Sequence, residues 1–187
     1  MQRELVERAQ AGDHDAFAVL VRASVPRLYG AAKLILRTDD RAQDAVQEAL
    51  VLAWKHIRAL RDPDAWDAWL RRLTVRACYR LARNTRRRSV VELHVVPDLD
   101  PAVPDDFALT VADRDQIGRA LGRLPIDQRA VLVLHFFLDL PLTEAAEILD
   151  VPVGTAKSRL NRGLTTLRSS IALDPSWPAG QAGGQTA

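Results

Sequence analysis

A 25-residue stretch, SVVELHVVPDLDPAVPDDFALTVAD at positions 89–113, divides the chain and limits what it can become. Pro97, Pro101 and Pro104 follow one another closely within it. Each proline removes a backbone donor and opposes helix, so neither flanking pattern continues through the stretch. On both sides apolar residues recur at helical spacing, through most of 3–88 and again through 113–172. Alternating strand patterns with hairpin signals are missing from both blocks. The expectation is an all-α chain of two small helical domains, residues 1–88 and 114–172. A flexible linker at 89–113 joins them, and a disordered tail follows at 173–187. Fully extended, the linker reaches roughly 80 Å.

Composition sharpens this division. Hydrophobic residues make up 48% of the 187 positions, ample for packed cores. The 26 basic and 24 acidic residues nearly cancel, but they are segregated. Residues 71–88 hold eight arginines (Arg71, Arg72, Arg76, Arg80, Arg83, Arg86, Arg87 and Arg88) and no acid. Residues 89–116 then hold seven acids against Arg114 alone. Blocks of opposite sign point to a polyanionic partner for the first and a basic or excluding surface for the second. Simple solvation of a disordered linker fits the acidic block equally well.

A lone cysteine, Cys78, rules out an internal disulfide framework. Residues 1–12 are mostly charged and polar, unlike a signal peptide, and the apolar run at 130–134 is far too short for a bilayer. A cytoplasmic protein with no membrane insertion is expected.

Helix signals divide the first block into about four helices. Ser24 stands where it would cap a helix with Pro26 in its first turn. Asp39 or Asp40 starts the next, and Asp62-Pro63-Asp64 interrupts the pattern before another begins near Trp66. Residues 40–57 gather Ala42, Ala45, Val46, Ala49, Ala53 and Ile57 on one face. The other face carries Asp44, Gln47, Val51 and Trp54, with Glu48 at its margin. Apolar groups mixed with acceptors are the makings of a protein interface. From Trp66 onward, Trp69, Leu70, Leu73, Ala77 and Leu81 continue an apolar stripe. Beside it Arg72, Arg76, Arg80, Arg83 and Arg87 form a row at spacings of three and four. Arginine stems cover apolar surface well, yet five cations in one row repel one another unless an anion compensates.

In the second block, LTEAAEILDVPVGTAKSRLNRGLTTL at 142–167 reads as two helices around a short turn. Ala145, Ala146 and Leu149 suit the first to close packing. On the second, Ala156, Leu160, Gly163, Leu164, Leu167 and Ile171 share a stripe. Thr155, Ser158, Asn161, Arg162 and Thr165 gather opposite, flanked by Lys157 and Arg159. No acid occurs from 151 to 173. That is the pattern of a helix-turn-helix whose second helix enters the major groove, where a carboxylate would meet phosphate repulsion. An ordinary helical hairpin with a basic exterior shares the packing stripe.

These residues together resemble bacterial RNA polymerase sigma factors of the sigma-70 family, in the compact extracytoplasmic-function (ECF) group. GDHDAFAVLVRASVPRLY is similar to region 2.1, DDRAQDAVQEALVLAW to region 2.2, and WLRRLTVRACYRLARNTRRR to regions 2.3 to 2.4. Leu124-Pro125 with the following DQRAVLVLHFF is similar to region 4.1. LTEAAEILDVPVGTAKSRLNRGLTTLR is similar to region 4.2. The resemblance spans about residues 3–170. It departs from the family pattern at Ala145-Ala146, Asn161 and Gly163.

The resemblance implies a sigma factor that recruits core RNA polymerase to promoters, recognises −35 and −10 elements and aids strand opening. Thr155, Lys157, Ser158, Arg159, Asn161 and Arg162 would contact the −35 element. Arg58, Arg61 and Asp62 of the loop at 58–65, with Arg72, Arg76, Arg80 and Arg83 on the helix after it, would serve the −10 element. Asp44, Gln47, Glu48 and Val51 would dock on the coiled coil of the β′ subunit, and region 4 on the β flap. An anti-sigma factor is a further implied partner.

Other classes fit less well. His14, His56, His94 and His135 lie far apart, Cys78 has no metal-ligand spacing, and no glycine-rich phosphate loop occurs. No enzyme, metal or cofactor is expected. An autonomous helix-turn-helix repressor or activator remains the alternative, although it would have no need of residues 40–88 in this arrangement.

Overall fold

The computed structural model describes residues 1–89 and 111–172, with side chains over 1–82 and 117–170. The linker expected at 89–113 is shorter at both ends, because Ser89 closes α4 and 111–113 open α5. Its remainder at 90–110, the tail at 173–187 and the side chains of Arg83, Arg87 and Ile171 lie outside the described residues. Eight α-helices make up most of the described backbone. The first body contains α1 (Gln2–Gln10), α2 (His14–Leu36), α3 (Asp39–His56) and α4 (Trp66–Ser89). The second contains α5 (Val111–Gly122), α6 (Ile126–Leu132), α7 (Leu142–Leu149) and α8 (Val153–Ala172). Two short 3-10 turns, Ile57–Ala59 and Pro63–Ala65, connect α3 to α4, and a π turn, Val133–Phe137, extends α6.

One local expectation fails, at Pro26. The helix does not restart there, because α2 begins at His14 and runs through Pro26 unbroken. Its cap is Asp13, whose carboxylate accepts from the Ala16 N–H at 2.9 Å. Ser24 sits in mid-helix, its hydroxyl donating to the Leu20 carbonyl at 3.2 Å. A mid-helix proline removes a backbone bond. Burial of Leu20, Leu28, Ala31, Ala32 and Ile35 along the same helix offsets that loss.

The alanine face of α3 forms as the spacing predicts. Ala42, Ala45, Ala49 and Ala53 are each 0% exposed. Side chains this small permit close approach of neighbouring helices, and α2 and α4 both pack against α3. Trp66 and Leu70 of α4 are fully buried, and Thr74 satisfies its hydroxyl on the Leu70 carbonyl at 3.0 Å.

In the second body, α7 ends at Asp150 in the left-handed region (φ 56°), and the Val151 N–H returns to the Ala146 carbonyl at 3.1 Å. That turn aims α8 across α6. Gly163 marks the crossing: a Cβ there would lie 2.8 Å from Leu132 Cδ1. Any side chain there would force Leu132 to shift.

The two bodies are docked against one another. Helix α4 packs on α6 and α7, and α2 packs on α6 and the π turn. Leu121, Leu132, Leu138, Leu140 and Ile148 share one apolar cluster with Leu28, Ile35 and Leu70. Arg37, in the left-handed region at the end of α2 (φ 70°), donates from Nη1 to the Gly122 carbonyl at 3.1 Å. A cation at the C-terminus of α5 is favoured by the helix dipole. Helical periodicity finds an apolar stripe without saying which neighbour covers it, so the docking was invisible in the pattern.

Gly163→Leu should overpack the α6–α8 crossing and destabilise the chain by about 1–3 kcal/mol. Urea unfolding of the variant beside wild type checks this; an unchanged midpoint contradicts the proposed role of the glycine.

Candidate nucleic-acid and polymerase interfaces

The outer face of α8 divides into projecting and retracted groups. Lys157, Asn161, Arg162 and Arg168 are exposed, and Thr155 and Ser158 are half-buried. The Ser158 hydroxyl donates to the Thr155 carbonyl at 2.9 Å, leaving its oxygen lone pairs outward as acceptors. Thr165 and Thr166 bond back in the same way to Asn161 and Arg162 at 3.0 Å. Arg159 behaves differently from its neighbours. Its guanidinium lies 3.7 Å from the Asp127 carboxylate of α6, with the side chain 24% exposed. Gly154, in the first turn, has nothing within 4 Å of where a Cβ would stand, so that turn is sterically open.

Across the docked interface, burial is the main reason that the Tyr79 phenol of α4 is held above its ordinary pKa, and the charge of Asp127 adds to it. Asp127 thereby lies in the field of both bodies.

On α4, Arg76 and Arg80 are exposed and Arg72 is half-buried. Eight residues from Arg72 to Arg80 rise about 12 Å, the axial span of three or four phosphates of one strand at about 3.4 Å each. Arg80 pairs with Glu48 of α3. One residue expected to face DNA and one expected to face polymerase therefore meet each other. Glu48 is turned toward α4.

The loop before α4 is held from behind. Arg58 Nε donates to the Gln10 carbonyl at 3.1 Å. Asp62 accepts from the Asp64 N–H at 3.1 Å and lies 3.6 Å from Arg3. Arg61 is exposed. The anchoring residues, Gln10 and Arg3, were missed from sequence, because α1 gives no local sign of which distant segment it will touch.

On α3, Asp44, Gln47 and Val51 are exposed as expected. Gln47, Val51 and Trp54 rim an open apolar groove of about 520 Å³ between α2 and α3, together with Phe17, Val25 and Tyr29. Trp54 is half-buried, its ring 4.4 Å from that of His14 and 4.9 Å from that of Phe17. Asp39 ties the two helices together, receiving Lys33 Nζ at 2.8 Å and the Tyr29 hydroxyl at 2.5 Å. The Lys33 and Tyr29 bonds hold its carboxyl below the usual range. Phe17, Val25 and Tyr29 were also missed, although their spacing of four and eight along α2 was a usable signal of a second apolar stripe.

Burial pushes the Cys78 thiol up to about 12, so it stays protonated rather than nucleophilic. Among the described residues no group of three or more His, Cys, Asp or Glu side chains could hold a metal ion. No described helix is long and apolar enough to cross a membrane.

Residues 20–88 match the Sigma-70 region 2 family, and residues 114–167 match Sigma-70, region 4. The chain is 33% identical over 165 residues to the ECF RNA polymerase sigma factor SigM of Mycobacterium tuberculosis, covering 88% of this chain and 81% of that one. It is 26% identical over 181 residues to the ECF RNA polymerase sigma factor SigW of Bacillus subtilis, covering 91% and 97%. Its fold is similar, with a TM-score of 0.71 and 25% identity, to the sigma factor RpoE from Bartonella quintana solved with the anti-sigma factor NepR, over 84% of this chain and 98% of that one. Carrying both sigma regions in this order, the chain belongs to the ECF group of sigma-70 RNA polymerase sigma factors and directs promoter-dependent transcription initiation.

Proposed function

We propose that α8 reads the −35 element in the major groove while α4 and the loop at 58–65 engage the −10 element. The observation that carries this is the outer face of α8, where Lys157, Asn161 and Arg162 project from a helix without a carboxylate. Asn161 and Arg162 match base edges by type, asparagine to adenine and arginine to guanine. Lys157 and Arg168 suit phosphates. Arg159 would have to leave Asp127 to join them. On the other body, the row Arg72, Arg76, Arg80 and Arg83 would follow the backbone of the −10 strand, and Arg58, Arg61 and Asp62 stand where an expelled base would be held.

The groove between α2 and α3 is the docking surface we assign to the β′ coiled coil of core polymerase. Gln47 would supply a polar contact at its rim and Val51 an apolar one, with Trp54, Leu50 and Phe17 as the apolar floor. Exposed Asp44, three residues before Gln47 on α3, would add a charge beside it. Glu48 would act through Arg80. Region 4 would meet the β flap. The two domains would lie on either side of residues 90–110, with Ser89 closing α4 and Val111 opening α5.

Reading both elements at once requires the bodies to part. The roughly 25 base pairs between them span about 85 Å at about 3.4 Å each. A docked chain of this length has a radius of gyration of only roughly 16 Å. The chain between α4 and α5 could reach roughly 70 Å, which with the size of the two bodies allows the separation. The fold shared with a sigma factor solved with an anti-sigma partner supports such a partner here as well. We place the protein in the cytoplasm with no catalytic step of its own. A repressor acting alone is not favoured, since it would read paired half-sites as a dimer and leave the α3 groove without purpose.

Transcription from a matched promoter by purified core polymerase, with and without this chain, tests the whole proposal; RNA made equally in both rejects it. Arg162→Ala should weaken open-complex formation by about 1–3 kcal/mol and relax selection at one −35 base. Unchanged promoter selectivity in that variant removes Arg162 from the reading face. Asp44→Arg should abolish co-elution with core polymerase on gel filtration, and wild-type co-elution discards this docking surface.

A further inference from the structure

The loop between α3 and α4 owes its shape to a helix that is distant in sequence. The Gln10 carboxamide at the end of α1 donates to the Ile57 carbonyl at 3.0 Å and the Leu60 carbonyl at 2.7 Å. One side-chain nitrogen thus holds both ends of the first turn, and Arg58 Nε returns a bond to Gln10's own carbonyl at 3.1 Å. At the other end of α1, Arg3 pairs with Asp64 at 2.5 Å and with Asp62 at 3.6 Å, gripping the second turn. Gln2 extends the contact to Asp67 in the first turn of α4 at 3.0 Å.

The geometry of α1 suits this grip. Arg3, Val6 and Gln10 are spaced three and four apart and share one face. Between the two polar ends, Val6 and Ala9 are 0% and 1% exposed, fixing the helix to the core. Seven residues from Arg3 to Gln10 rise about 10.5 Å, enough to reach both turns from one rigid rod. With carbonyls 57 and 60 bonded inward, the Arg61 side chain is left facing solvent.

We propose that Gln10 and Arg3 are positioning residues for −10 recognition: α1 clamps the loop in a single shape, and selection among bases depends on that clamp. The proposal rests on the reading of residues 58–65 as the −10 loop. A loop that discriminates bases must hold its donors to within roughly 0.5 Å, and isolated 3-10 turns do not hold themselves so tightly. The clamp supplies from α1 the rigidity that the loop sequence lacks. It touches neither the α3 groove nor α8, so its loss should change which −10 sequence is chosen without changing polymerase binding or −35 selection.

The test uses holoenzyme assembled from the full chain and a set of promoters differing at single −10 or −35 bases. Gln10→Met keeps length and removes the donor; Gln10→Lys keeps a donor able to reach both carbonyls. Gln10→Met should flatten −10 base preference by about tenfold per base, with −35 preference and polymerase affinity as in wild type. Gln10→Lys should restore the preference, which a merely space-filling role would not require. Arg3→Met gives the same readout from the other end of α1, should Gln10→Met prove too unstable to assay. Replacement of residues 58–62 separates the two claims. If that replacement alters −10 preference while both Gln10→Met and Arg3→Met leave it intact, the loop reads DNA unaided and the clamp is refuted. If no variant, loop replacement included, shifts −10 preference, the assignment of the loop itself has failed.

Discussion

The packing of α3 through its alanine face is the constraint on which the rest of this sigma factor depends. Four alanines at 0% exposure bring α2 and α4 close to either side of one helix. The consequence is functional as much as structural. With the small residues turned inward, α3 presents Asp44, Gln47 and Val51 outward beside the α2 groove, while α4 presents Arg76 and Arg80 along another edge. A bulkier face would separate the helices and with them the two surfaces. Arg80 and Glu48 bridge those surfaces, so a partner seated in the groove and a strand laid along α4, as proposed, would act on adjoining side chains.

Much of this was legible from residue types and spacing. The α3 face could be read because alanines repeat at three and four, and burial on one side of a helix is what such a repeat encodes. The exposed cations of the outer face of α8 could be read because charge is conspicuous, and the proposed contact with phosphate rests on that helix having no carboxylate. Pro26 misled because a local helix-start signal was outweighed by burial along the whole of α2, a tertiary effect that no short window contains. Asp13, which was not singled out from sequence, makes the cap bond instead.

What stayed hidden involves partners far apart in the chain. Gln10 meets carbonyls 47 and 50 residues away. Arg37 reaches Gly122 across 85 residues, and the apolar surface that docks the bodies looked like the interior of each body taken separately. Arg159 resembled its neighbours on the helix wheel, yet Asp127 of α6 draws it inward. Periodicity assigns a residue to a face; it does not name what lies opposite. On the proposed reading, docking and opening would be two states of one molecule. Arg37 and the shared apolar cluster favour the first, and two distant promoter elements favour the second.

Site-specific photo-crosslinking in the assembled polymerase–promoter complex tests the central claim most directly, with the probe placed in turn at positions 51, 76 and 161. The account predicts crosslinks to the polymerase β′ subunit from 51, to the −10 region from 76 and to the −35 region from 161. Probes at 76 and 161 that label only protein, in complexes competent to initiate, would contradict it.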